Sequence, residues 1–234
     1  MMREYRVTFR LDSIINFDEP FSIEDVNFFY SDNSDNVLYA QTTVQSEDIM
    51  VAQQLAWGKV INICSAMAYI FQYPLNFYID KVEELKPDGT INFSMSSIEA
   101  SLYVRKRISR SNIDDIIKIT KLMKQNANVK KIMLLVNRPD FKTWVTLYRI
   151  YEIIDYDQDI RKKNWITEKK RNLFKRTANH PKASGLDARH GFQKEQPPDK
   201  PMELNEAVEL IHGLIDKWLD YLWEKYSEQG KGES

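Results

Sequence analysis

The sequence predicts an α+β protein in two parts: a mixed region over residues 1–97, with one long helix on a small sheet, and a helical bundle over 98–234. Period-two alternation carries the first part, because Tyr5, Val7, Phe9 and Leu11 are interleaved with Arg6, Thr8 and Arg10, as a half-buried strand requires. Period 3.6 carries the second, most clearly where Leu204, Ala207, Val208, Ile211, Leu214, Ile215, Trp218 and Leu222 recur on one helical face. With 43% apolar residues in 234, the chain has ample core-forming material, and a disordered or disulfide-stapled chain is excluded.

Each element follows from local signals. Val37–Val44 is β-branched and aromatic and follows a turn-like run of Ser, Asp and Asn, so it reads as a strand. Ser46 is placed to cap a helix with Glu47 and Asp48 in its first turn. The helix carries Val51, Leu55, Ile63, Met67 and Ile70 for about 25 residues, until Pro74 closes it. Leu75–Ile79 reads as a return strand, Pro87-Asp-Gly-Thr90 as a turn, and the alternating Ile91, Phe93 and Met95 as another strand. Further on, Ser111 or Asn112 can cap a helix bearing Ile113, Ile116, Ile117, Thr120 and Met123, and Asp140 can cap one bearing Phe141, Trp144, Tyr148, Tyr151 and Ile154. A third helix is expected over Arg161–Phe174. Between it and the last helix, residues 177–202 hold three Pro after Pro181 and two Gly with no hydrophobic period, a long basic loop.

Charge is distributed unevenly. Between Leu11 and Gly58 there are nine acids and no Lys or Arg, whereas Arg161–Lys200 carries twelve cations against four acids. Such separation speaks to partners: the basic part holds something anionic, or the two parts attract each other. The single Cys64 cannot pair within the chain, and no basic-plus-apolar leader occupies Met1–Phe17, so a reducing cytoplasm is expected and no membrane association.

Motifs for chemistry are sparse. No CxxC, HExxH, EF-hand, Gly-rich phosphate loop or Gly-x-Ser-x-Gly elbow occurs, and His180 and His190 lie among cations that would repel a metal. Arg189-His-Gly191 resembles the phosphohistidine triplet of histidine phosphatases, yet it lacks the strand and the α/β context such a site needs. Basic clusters interleaved with aromatics remain: Lys169, Lys170, Arg171 and Lys175 beside Trp165 and Phe174, and a second cluster at Arg105, Lys106 and Arg107. These suit phosphate neutralisation and counterion release, or equally an acidic protein surface.

Phe141–Ile154, Lys175-Arg-Thr-Ala-Asn-His180, Ala188-Arg-His-Gly191 and Pro201-Met-Glu-Leu-Asn-Glu-Ala207 together resemble segments of bacterial HEPN-like proteins over about Asn112–Tyr226. The resemblance implies a helical, homodimeric, RNA-binding protein of prokaryotic anti-phage defence. In active members it implies a metal-independent endoribonuclease without cofactor. The Arg/His spacing here departs from the family's motif: His180 is nine residues after Arg171 and four after Arg176. If RNA is cut, His180 and His190 are the expected acid and base, Arg176 and Arg189 the phosphate stabilisers, and Asn179 an orienting group. The alternative is a non-catalytic interaction, assembly or antitoxin-like regulatory protein, partnered from the same operon, whose basic segment meets an acidic protein surface.

Overall fold

The structure, a computed structural model, describes residues 2–12, 15–16, 19–30, 37–86, 88, 91–95, 106–107 and 110–229. It is α+β, and the chain divides into two compact units, Met1–Thr120 and Lys121–Ser234. The division falls inside a helix, α2 (Arg110–Gln125). The boundary expected at residues 97/98 lies outside the described residues.

The first unit is built on a six-stranded antiparallel sheet. Its strands are β1 (Arg3–Asp12), β3 (Phe21–Ile23), β4 (Val26–Tyr30), β5 (Leu38–Ser46), β6 (Asn76–Leu85) and β7 (Ile91–Met95), in the order β3-β4-β5-β1-β6-β7. A separate parallel pair joins β2 (Ile15–Asn16) to β8 (Lys106–Arg107). Cross-strand partners share a face, so Val7 with Thr42, Phe9 with Ala40 and Leu11 with Leu38 put one apolar layer on one side of the sheet. Against this layer lies α1 (Ile49–Phe71), with buried Ala52, Ala56, Val60, Ile63 and Met67. Trp57 meets both Phe9 and Phe77 at the helix–sheet boundary.

Several boundaries differ from expectation for identifiable reasons. The cap of α1 is Asp48, whose carboxylate accepts from the amides of Met50 and Val51; Ser46 instead binds Asp48 itself. The helix ends at Gln72, whose left-handed backbone closes two bonds back to Ala68 and Tyr69 before Pro74. Thr143, not Asp140, caps the helix carrying Trp144, because the helix begins at Trp144, three residues past the expected Phe141; the Asp140 carboxylate instead accepts two bonds from Arg138. The Pro87–Thr90 turn lies outside the described residues apart from Asp88.

The second unit holds α3 (Ala127–Val136), α4 (Trp144–Asp157), α5 (Glu168–Asn179), the short α6 (Pro181–Ser184) and α7 (Leu204–Gln229). Helix α4 touches α3, α5 and α7, and its buried Leu147, Ile150, Tyr151 and Ile154 belong to the same core as Ile211, Leu214, Ile215 and Trp218 of α7. At one end of this core the Asp157 carboxylate accepts from Asn128 on α3 (2.9 Å) and from the Trp218 indole on α7 (2.9 Å). The basic helix begins later than expected, since Thr167 caps it by accepting from the Lys170 amide while 161–164 form a turn. No helix among the described residues is long and apolar enough to cross a membrane.

Candidate functional site

Helix α5 is amphipathic, and its two faces divide its residues by role. Phe174, Thr177 and Ala178 are buried, with Phe174 against the rings of Trp144, Tyr148 and Tyr151. The positions between them, Asn172, Lys175, Arg176 and Asn179, follow the i, i+3, i+4, i+7 spacing and share the opposite face. That face lines a cleft of about 430 Å³, completed by His180, Gln193, Glu195 and Gln196.

The far wall comes from the segment expected to be a structureless loop. Residues 180–203 instead form an ordered strap, tied back to α5 and α4 at several points. The Arg189 amide donates to the Ala178 carbonyl (2.9 Å), Arg176 donates to the Gln196 carbonyl (3.2 Å), and the Met202 amide donates to the Thr177 hydroxyl (3.1 Å). The Arg189 guanidinium pairs with Glu152 (2.9 Å) and lies 4.4 Å from the centre of the Tyr148 ring. A basic sequence without hydrophobic period thus gains its order from hydrogen bonds of its own backbone amides and carbonyls and from one ion pair, signals that periodicity does not carry.

His180 is central to this arrangement. Its side chain is 5% exposed, Nδ1 accepts from the Lys182 amide (3.1 Å), and Nε2 lies 2.7 Å from the Glu195 carbonyl. With an amide donor at Nδ1, that nitrogen accepts, and Nε2 is the nitrogen that donates to the Glu195 carbonyl. Both nitrogens are therefore engaged, one capping α6 and the other holding the strap. His190 is exposed. The five residues expected to act together are thus brought to one region but not to one point. Arg176, Asn179 and His180 line the cleft, Arg189 is engaged with Glu152 and Tyr148, and His190 faces solvent.

The expected nucleic-acid contacts also separate. Lys170 pairs with Glu206, and Arg171, turned inward, pairs with Glu168 and donates to Asn172. Among the described residues, Lys169, Lys175, Arg176, Lys182, Lys194 and Lys200 take no carboxylate partner. Lys175 is 5.9 Å from the Tyr151 ring centre. Burial, followed by the neighbouring Asp155 carboxylate, pushes the Tyr151 hydroxyl up to about 12, so it stays protonated and donates to Asp155. Lys106 and Arg107 form β8 in the other unit, and Arg105 lies outside the described residues. Gln193, Glu195 and Gln196 are not among the expected site residues; Arg176 holds the Gln196 carbonyl and His180 the Glu195 carbonyl.

The cleft is polar, with Lys175 and Arg176 against one acid, Glu195, and with amides supplied by Asn172, Asn179, Gln193 and Gln196. Cations and amides so arranged suit an anionic ligand that also offers hydrogen-bond donors and acceptors. Among the described residues no three His, Cys, Asp or Glu side chains converge as a metal site would need. Compared with family models, curated proteins and solved structures, the chain matches none.

Proposed function

We propose that this protein binds RNA through the cleft between α5 and the strap, and that it binds without cutting. One observation carries the reading: Lys175 and Arg176 share a face of α5 with Asn172 and Asn179 and open onto the cleft with no carboxylate partner among the described residues. Cations left unpaired beside a polar cavity favour a polyanion, because each phosphate they neutralise releases counterions. Binding is preferred to cleavage because His180, the better placed of the two histidines, already spends both ring nitrogens on the strap. A general base needs a free nitrogen within reach of the 2′-OH.

The test is fluorescence anisotropy with labelled RNA in EDTA across a salt series. Affinity is expected to fall with salt, with a log–log slope of about −0.7 for each phosphate contact on a single strand. Lys169→Ala/Lys175→Ala should weaken binding and flatten that slope by about one contact per lysine in the interface. Salt-independent binding, or none, would refute the reading. Cleavage in EDTA that His190→Ala abolishes would replace it with the endoribonuclease reading.

A further inference from the structure

We infer that the cleft takes a single-stranded nucleic acid and that exposed Phe192, next in the chain to the cleft-lining Gln193, is the platform on which a base stacks; this rests on the RNA-binding reading above. Phe192 is 77% exposed and directly precedes Gln193, which lines the cleft. A lone exposed apolar side chain is ordinary on a protein surface. What sets Phe192 apart is its surroundings.

The other aromatic residues of this unit are committed or badly placed for a polyanion. Tyr148, Tyr151 and Phe174 are buried against one another, and Trp165 packs edge-on to Tyr221. Tyr156 is 89% exposed, but Asp155, Asp157 and Asp159 lie within three residues of it and no cation does, so a phosphate there is repelled. Within three residues of Phe192 are the exposed His190 and Lys194, with Glu195 the only acid, while Arg189 is held by Glu152. Exposed Lys182 and Lys194 take no carboxylate partner among the described residues.

An unpaired base presents a π-face that any aromatic ring can cover, whatever the base, while neighbouring cations follow the backbone. A duplex hides those faces inside its stack, so a ring standing out from a strap gains nothing from one. The arrangement therefore selects strand over duplex: the phosphate lies in the cleft on Lys175 and Arg176, and the adjoining base lies on Phe192.

The experiment compares a labelled mixed-sequence RNA strand with its own duplex, using the full chain and its Phe192→Ala and Phe192→Tyr variants. The strand is expected to bind the wild type about tenfold more tightly than the duplex. Phe192→Ala should lose about that factor for the strand alone with the salt slope unchanged, and Phe192→Tyr should retain it. Because the side chain is exposed, the variants fold as the wild type does. Salt-dependent strand binding that Phe192→Ala leaves intact, or a duplex bound as tightly as the strand, overturns the stacking role and leaves the RNA reading standing. Binding to neither form overturns both. If Phe192→Ala instead changes self-association of the protein alone, the ring belongs to an interface between copies and the inference falls.

Discussion

Replacing Asp157 with Asn tests the account of how the helical unit is held together. The carboxylate accepts from Asn128 on α3 and Trp218 on α7, and from its neighbour Gln158 at 3.2 Å. An amide of the same shape offers one oxygen and one NH2 group, so one of the two long-range donors loses its acceptor and the other loses its charge assistance. Bonds to charged groups contribute about 1.5–3 kcal/mol each, and a donor left unsatisfied costs about 1–3 kcal/mol. Asp157 is only partly buried, so water replaces part of the loss, and a net cost of about 2–3 kcal/mol is expected. Burial alone would raise this carboxyl's pKa, but the hydrogen bonds from Asn128, Trp218, Gln158 and Asn126 together outweigh it and hold it below the ordinary range. A depressed folded pKa means the unfolded chain binds the proton more readily, so the stabilisation is complete above the unfolded value of about 3.9 and disappears as pH falls through the folded one. Urea unfolding followed by far-UV circular dichroism should therefore show Asp157→Asn least stable relative to wild type at neutral pH, with the gap closing in acid. A gap that stays constant from pH 7 to below pH 3, or one under about 0.5 kcal/mol, would refute the reasoning.

Two further outcomes follow from buried groups. His180→Ala removes the cap of α6 and the tie to Glu195, at a cost of about 2 kcal/mol. That loss should appear first as faster amide exchange at Lys182 and Arg189 and as protease sensitivity in the strap, while the core exchanges as before. Cys64 is buried on α1, and burial pushes its thiol far up. It should therefore react with a thiol reagent in the native state only at the rate of opening, and promptly in denaturant.

How much of this was legible in the sequence depended on whether period or tie made the structure. The strand Tyr5–Leu11 and the stripe from Leu204 to Leu222 were readable because burial on one face leaves a period. The hairpin Phe21–Tyr30 was not, since its runs are short, lie in an acidic stretch, and turn on Glu24 at φ 56° rather than on glycine. Helix α3 went unread because its apolar run Ile132–Val136 masks the period and the informative residue is its cap, Asn126, which accepts from Asn128 and Val129. At the site, the face Asn172, Lys175, Arg176 and Asn179 could have been found from spacing alone once the helix was placed correctly. The expected helix stopped at Phe174, which divided that face between helix and loop. The opposite wall had no such signal, because Gln193–Gln196 is positioned by bonds to its own carbonyls.

That last feature has a bearing on what can change. Arg176 and His180 grip the strap by peptide oxygens at Gln196 and Glu195, groups that every residue type possesses. The shape of the wall is thereby uncoupled from the side chains it displays toward the cleft. Positions 193–196 form a cassette: their side chains can be exchanged while Arg176 and His180 go on holding the same backbone, so the wall can change its chemistry without having to refold.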